Sequence, residues 1–336
     1  MKAWRIENDD GIDALNLVDM DIGEPGPGEV RVRMHASSIN RRDMNTVLAP
    51  SARNTPLPRI PNSDGAGEVV AIGAGVRDFK PGDRVASCFF KRWPAGRITA
   101  PVMASALGGA EEGMLSEETI LPEDALVHLP DHLSWDEAGT LTCAGVTAWH
   151  GLVTRGGVKA GDSVLLLGTG GVSIFALQFA KMMGARVIIT SKSDEKLERA
   201  RALGADETIN YGDTPDWDAA VMDLTDGVGV DHVVEVGGAG TLQKSVASLA
   251  FGGHIALIGV LTQGELNPYP LLGKSGRISG IYVGSREMFQ NMNAAITASE
   301  MKPVIDQTFD FDDARAAYHC MQGDGHFGKI VIRVAQ

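Results

Sequence analysis

A doubly wound parallel α/β sheet joined to a β-rich region is the fold this 336-residue sequence predicts. Three observations point to it. From about Gly161 short apolar runs alternate with segments of helical spacing, the rhythm of strand–helix–strand units. A glycine-rich turn sits between the first strand and the first helix of that alternation. The first third of the chain reads instead as short β segments separated by turns.

The elements follow in order. Glu29–Ile39 (EVRVRMHASSI) alternates, with Val30, Val32 and Met34 on one face. Glu68–Ile72 is a second strand, closed by Gly73 and Gly75. Pro81-Gly82-Asp83 marks a turn before Arg84–Ala86. Arg92–Gly113 has no period and reads as a long surface loop. Ser163–Gly168 (SVLLLG) is continuously apolar, as in a strand covered on both faces. Val172–Met183 follows at helical spacing, then strand Arg186–Thr190. Helix Asp194–Leu203 opens with acids that suit its N-terminal dipole. Strand Glu207–Asn210, strand Asp231–Val236, helix Thr241–Ala250 and strand His254–Gly259 continue the pattern. After the hinge-like Asn267-Pro268-Tyr269-Pro270 come strand Ile278–Val283, helix Glu287–Ser299 and a last strand, Lys329–Val334.

Composition excludes several classes of function. The chain is 44% hydrophobic and 22% charged, with 41 glycines, enough apolar side chains for two packed cores. Its net charge of −13 and lack of a basic stripe argue against nucleic acid and against anionic membranes as partners. The three cysteines, Cys88, Cys143 and Cys320, are too few and too scattered for a disulfide framework, which fits a reducing compartment. No apolar run approaches membrane-spanning length, and the charged N-terminus lacks the core of a signal peptide. The expectation is a cytoplasmic enzyme.

Gly168-Thr169-Gly170-Gly171-Val172-Ser173 has the strand–turn–helix context that a pyrophosphate site requires. A tight turn there aims backbone N–H groups and the helix dipole at an anion. Ser173 stands where a third glycine would normally let helix and strand pack closely. The second strand ends Ile189-Thr190-Ser191-Lys192-Ser193, without the acid that would bond a ribose 2′-OH. Ser191 and Lys192 offer a hydroxyl and a cation to a 2′-phosphate, so NADP(H) is the expected cofactor.

These segments resemble the medium-chain dehydrogenase/reductase superfamily, in particular its zinc-free quinone oxidoreductase-like branch. The resemblance runs through Ser38–Asp43, Ile60–Val70, Phe79–Val85, Cys143–Trp149, the glycine turn, Ala202–Ala205 and His326–Val331. It implies a Rossmann doubly wound parallel sheet over residues 126–265. A GroES-like β-rich catalytic domain would comprise 1–125 and 266–336, with the cofactor in the cleft between. By motif alignment the zinc ligands of the alcohol dehydrogenases fall on Asn40, on Ser63-Asp64 and on Cys143, and one thiolate cannot make the usual catalytic site. Cys88 stands alone where a structural zinc lobe needs four cysteines. Both metals are therefore expected to be absent.

The same resemblance places Asn40, Asp43 and Thr147 near the nicotinamide. Asn40 would donate to an oxyanion, hold the ribose or simply cap a turn. Asp43 would orient Asn40 or a water, or pair with Arg41 or Arg42. Thr147 would touch the ring or pack within a helix. Tyr211 would stack near the adenine or 2′-phosphate, and Gly259-Val260-Leu261 would border the cofactor at the end of a parallel strand. Ser285-Arg286 would serve a phosphate or the nicotinamide side, and Lys329 lies in a segment kept near the cleft. The activity implied is hydride transfer from NADPH to a quinone or an α,β-unsaturated carbonyl, by a homodimer joined near Ile278–Val283. Two other readings stay open: an alcohol dehydrogenase acting on a small alcohol or aldehyde, and an NADPH-binding sensor or structural protein without turnover.

Overall fold

The computed structural model describes residues 1–335. The chain forms two compact units: Met1–Val146 with everything from Gly284 on, and Thr147–Val283. These limits lie beyond residues 126 and 265 at both ends, and strand pairing explains why. Leu126–His128 pairs antiparallel with Arg84–Ser87, which keeps it in the first unit. Arg277–Gly280 pairs parallel with Leu249–Leu257, which keeps it in the second.

The second unit is an all-parallel sheet of six strands: Ser163–Leu167, Arg186–Ser191, Glu207–Asn210, Val230–Glu235, Leu249–Leu257 and Arg277–Gly280. Counted in that sequence they lie 3-2-1-4-5-6 across the sheet, the doubly wound arrangement. Leu165, Ile188, Val233 and Ile255 of the four central strands are fully buried. They pack with Trp217, Val221, Leu242 and Val246 from flanking helices. Side chains of this kind stabilise by roughly 1.5–3 kcal/mol each when fully buried. The expected Thr241–Ala250 helix stops at Ala247, because Leu249 already pairs with Val230. The last strand likewise ends at Gly280 rather than Val283, and Val283 has a positive φ of 51°.

The first unit is built on the long strand Glu29–Ile39. Its first half pairs with Glu118–Pro122, its second half with Lys329–Arg333, and Asp64–Ile72 runs along its other edge. The C-terminal strand thereby brings Lys329 beside Ile39. Val32, Met34, Val69, Val85 and Leu121 form one core cluster; Ile39, Met44, Val47, Tyr318, Ile330 and Ile332 form another. Arg92–Gly113 is not merely a surface loop. It contains a helical turn, Ala100–Met103, and buries Trp93, Val102 and Leu107. Its apolar residues have no sequence period because an irregular path buries them one at a time.

Candidate functional site

Each unit carries one cluster that fits the expected chemistry. In the second, Gly168 has φ +69°, a conformation that L side chains rarely adopt, and a Cβ on Gly168 or Gly170 would meet only open space. Gly170 caps the Gly171–Met182 helix without a side-chain hydrogen bond. The first helical bond runs from Ile174 N–H to the Gly170 carbonyl. The amides before it are the unpaired donors of a helix N-terminus, and the turn leaves room for an anion beside them. Ser173 is accommodated by turning its hydroxyl onto the Leu167 carbonyl, 2.7 Å away.

At the end of the second parallel strand, Ser191 is buried and accepts from Ser193 N–H at 3.2 Å, while Lys192 is exposed. The lysine stem runs beside Gly212. Tyr211 N–H binds the Ser191 carbonyl at 3.0 Å, and its ring is 41% exposed. Asp194, the nearest acid, is engaged by Asn210 Nδ2 at 2.8 Å. Val260 and Leu261 are 79% and 57% exposed, unusual for aliphatic side chains. Gly259 ahead of them lies so close to Val236 that a Cβ would stand 1.7 Å from its carbonyl oxygen. A recess of about 380 Å³, lined by Gly238, Leu242, Leu257, Val260, Thr262 and Leu266, opens there. The sequence reading passed over Glu235, which is fully buried at the end of its strand. One carboxylate oxygen accepts from Gly237 N–H (2.7 Å), Gly238 N–H (3.0 Å) and Thr241 Oγ1 (2.7 Å), and the other accepts from Ser245 Oγ. It fixes the loop that lines the recess.

The first unit holds a buried polar cluster. Asn40 is 8% exposed at the start of the Arg41–Leu48 helix; Asp43, Asp64 and Ser38 are fully buried and Lys329 nearly so. Asp43 Oδ2 accepts from Asn40 N–H at 2.9 Å and from Asn40 Nδ2 at 3.0 Å. Asp43 Oδ1 accepts from Arg42 Nη1 at 3.0 Å and Ser63 N–H at 3.2 Å. Asp43 thus contacts Asn40 and Arg42 together, while Arg41 pairs with Asp324. Lys329 Nζ donates to Asn40 Oδ1 (2.6 Å), the Ile39 carbonyl (3.1 Å) and Asp64 Oδ2 (3.2 Å). Ser38 and Ser63 hydroxyls complete the shell of Asp64 at 2.8 and 3.1 Å. Burial pushes the Asp64 carboxyl above the ordinary range, with Lys329 pulling against it.

The remaining expected residues lie outside these two clusters. Thr147 is 3% exposed in the helical turn Val146–Trp149, the first residue of the second unit. Ser285 and Arg286 belong to the first unit, not to the dinucleotide-type unit. Ser285 caps its helix, accepting from Met288 N–H at 3.3 Å. The Arg286 guanidinium is taken up by the Leu126 carbonyl (2.8 Å) and faces Asp78 at 3.4 Å. These contacts hold both residues within the first unit.

Fold, glycine turn and polar cluster together define a pyridine-nucleotide oxidoreductase, and the comparisons agree. Residues 26–131 match the alcohol dehydrogenase GroES-like domain and residues 171–298 the zinc-binding dehydrogenase domain. A zinc-type alcohol dehydrogenase-like protein of Schizosaccharomyces pombe is 43% identical over 96% of each chain. A 2-haloacrylate reductase of a Burkholderia species is 30% identical over 96% of each. A solved NAD-dependent alcohol dehydrogenase superposes with TM-score 0.91 at 34% identity over all of both chains. A quinone oxidoreductase of Pseudomonas syringae does so with TM-score 0.83 at 30% identity over 99% of each. The chain belongs to the medium-chain dehydrogenase/reductase superfamily.

The glycine turn, with open space at its amides, fits the pyrophosphate of a dinucleotide. The positions aligned with zinc ligands do not fit zinc. They supply an amide (Asn40), a hydroxyl (Ser63), a carboxylate already held by Lys329 (Asp64) and a thiol (Cys143). Burial first, and then Asp64 and Asp43, push the Cys143 thiol well above its ordinary range, and one sulfur is too few for the usual catalytic zinc site. Among the described residues no group of three or more His, Cys, Asp or Glu is placed to hold a metal. Cys88 is buried alone, its thiol pushed up to about 12 by desolvation. No helix among the described residues is long and apolar enough to cross a membrane.

Proposed function

We propose that this protein is an NADP(H)-dependent, zinc-independent oxidoreductase that transfers hydride to a quinone or an α,β-unsaturated carbonyl. The observation that carries the reading is the Asn40–Asp43–Lys329–Asp64 cluster, an organic donor array at the positions where zinc-dependent relatives would keep a metal. The amides of Gly171, Val172 and Ser173 would hold the pyrophosphate, and Ser191, Lys192 and Tyr211 the 2′-phosphate. When bound, the cofactor supplies the hydride. An enone takes it at the β-carbon; the C=C pair shifts to the carbonyl oxygen, giving an enolate, and the α-carbon then takes a proton from water. A quinone takes the hydride and a proton to become a hydroquinone. In both, negative charge develops on an oxygen already conjugated to the reacting centre, so hydrogen-bond donors in place of a Lewis acid are sufficient. Asn40 would turn its amide N–H toward that oxygen or hold the nicotinamide ribose.

The reading includes a cytoplasmic homodimer. The strand Arg277–Gly280 pairs on one side only, and the same unit exposes Phe251, Tyr269 and Leu272 at 76–81%. Light scattering on the purified protein tests the dimer. The activity is tested by following NADPH oxidation with a panel of quinones and enals, alongside metal analysis. Turnover by metal-free protein is the expected result. One zinc per subunit whose removal abolishes activity would replace this reading with an alcohol dehydrogenase. Tight NADPH binding without oxidation across the panel would leave a sensor.

A further inference from the structure

We infer that Asn210 is a positioning residue for cofactor choice: it draws the Asp194 carboxylate away from a cofactor 2′-phosphate, a role that rests on the NADP(H) reading proposed above. Asp194 is the first acid after the second parallel strand, three residues beyond Ser191. An acid at that strand end bonds the ribose 2′-OH of NAD, and its charge repels the 2′-phosphate of NADP. The chain thus places a carboxylate close in sequence to the lysine expected to hold that phosphate. Ser193 caps the Asp194–Ala202 helix, its hydroxyl accepting from Lys196 N–H at 3.4 Å, so the Asp194 carboxylate is not needed as the cap. It is taken up instead from the third strand, where Asn210 Nδ2 donates to Asp194 Oδ1 at 2.8 Å.

Donor and acceptor chemistry fixes how Asn210 stands. A carboxylate only accepts and a backbone amide only donates. The end of Asn210 facing Asp194 is therefore Nδ2, and the end facing Gly212 N–H at 2.9 Å is Oδ1. Both contacts demand the same orientation of the carboxamide. The backbone holds it there. Asn210 lies opposite Ser191 in the parallel pair, and its carbonyl accepts from Asp213 N–H (3.2 Å) and Thr214 N–H (2.9 Å). The same turn carries Tyr211, bound through its N–H to the Ser191 carbonyl, and Gly212, where a Cβ would stand 3.3 Å from Lys192 Cγ. Asn210 therefore does two things at once. It holds the turn that bears the tyrosine and lies against the lysine stem, and it turns the acid toward the third strand. Without its amide, the exposed Asp194 side chain samples other orientations. Some of them face Lys192, offering an acceptor to a 2′-OH and repelling a 2′-phosphate.

The test is calorimetry with NADPH and with NADH on the wild type, Asn210→Ala, Asn210→Ser, Asp194→Asn and the double variant Asn210→Ala/Asp194→Asn, each checked by thermal unfolding. The quantity read is the ratio of the two dissociation constants, in which a loss common to both cofactors cancels. Asn210→Ala should weaken NADPH by about five- to tenfold, the scale of one like charge at a solvated site, and leave NADH unchanged or tighter. Asn210→Ser keeps an oxygen for Gly212 N–H but loses the amide donor, so it should move the ratio the same way with the turn retained. Asp194→Asn alone should leave NADPH affinity within about twofold, and in the Asn210→Ala background it should restore the wild-type ratio. Asp213→Asn in that background removes the acid beyond Tyr211 and should restore nothing. Equal losses with both cofactors, or a double variant no more selective than Asn210→Ala, would overturn the inference. A wild type that favours NADH removes the NADP(H) reading by itself; the ratio must still fall in Asn210→Ala and return in the double variant for the Asn210 role to stand. A wild type that binds neither dinucleotide removes both.

Discussion

Lys192 is exposed beside Gly212 and Tyr211, with Asp194 turned onto Asn210, so the surface at the end of the second parallel strand offers a cation. Lys192→Ala is expected to raise the KM for NADPH by about tenfold, the loss of one charge-assisted bond, and to leave NADH kinetics unchanged. Equal losses with both cofactors would remove the lysine from the 2′-phosphate site. Glu235 makes a second prediction at this scale. Its carboxylate satisfies two amides and two hydroxyls inside the protein. Glu235→Ala leaves those donors buried and unpaired, and at ~1–3 kcal/mol per unsatisfied group denaturant titration should show a loss of about 3 kcal/mol or more. The Lys329–Asn40 contact was not legible in the sequence because it joins residues that are adjacent only after strands have paired; the Glu235 shell lies within the next ten residues, but an acid at a strand end carries no periodicity to mark it.

At the scale of elements, the parallel strands were read well because burial on both faces leaves an unbroken apolar signature. Glu207–Asn210 was read with the limits the structure shows, and so was Glu29–Ile39 in the first unit. Elements whose ends depend on contacts were read less well. The Asp64–Ile72 strand begins four residues earlier than its apolar run, through Asp64-Gly65-Ala66-Gly67, where small residues permit close approach. A Cβ on Gly67 would lie 2.1 Å from the Arg33 carbonyl oxygen. Gly259 is similarly confined against Val236. Gly259→Ala forces the strand exit to move, and we expect it to cost about 1–3 kcal/mol, the usual range for overpacking, and to weaken NADPH binding measured by calorimetry. An unchanged melting temperature and affinity would show that this segment is free to shift.

For the whole molecule, the acid limb of stability carries the signature of a buried histidine. His254 is 1% exposed, and its imidazole is held down to about 4 by burial first, then by His232, Arg277 and Arg155. In the unfolded chain it titrates near ~6.5. Between those values the unfolded state binds the extra proton, so stability falls as pH drops from about 6.5 to about 4 and is fully present above that window. The contribution is about 2–3 kcal/mol. His150 and His35, also lowered by burial, act in the same direction. Urea titrations across this range should show the slope, and His254→Phe should flatten it; an unchanged slope would assign the acid sensitivity elsewhere.

The sequence by itself determined the doubly wound sheet, the phosphate-type turn and the family, because periodicity and glycine spacing are local and are written in consecutive residues. It also determined which side chains stand at the positions that align with zinc ligands. Only the tertiary structure decided what those side chains do. Lys329 meets Asn40 across almost the whole length of the chain, Arg286 is spent on Leu126 and Asp78, and the unit limits follow strand pairing rather than composition. Hydrogen bonds between distant residues depend on register and on backbone approach, and neither has a period that a linear reading can detect.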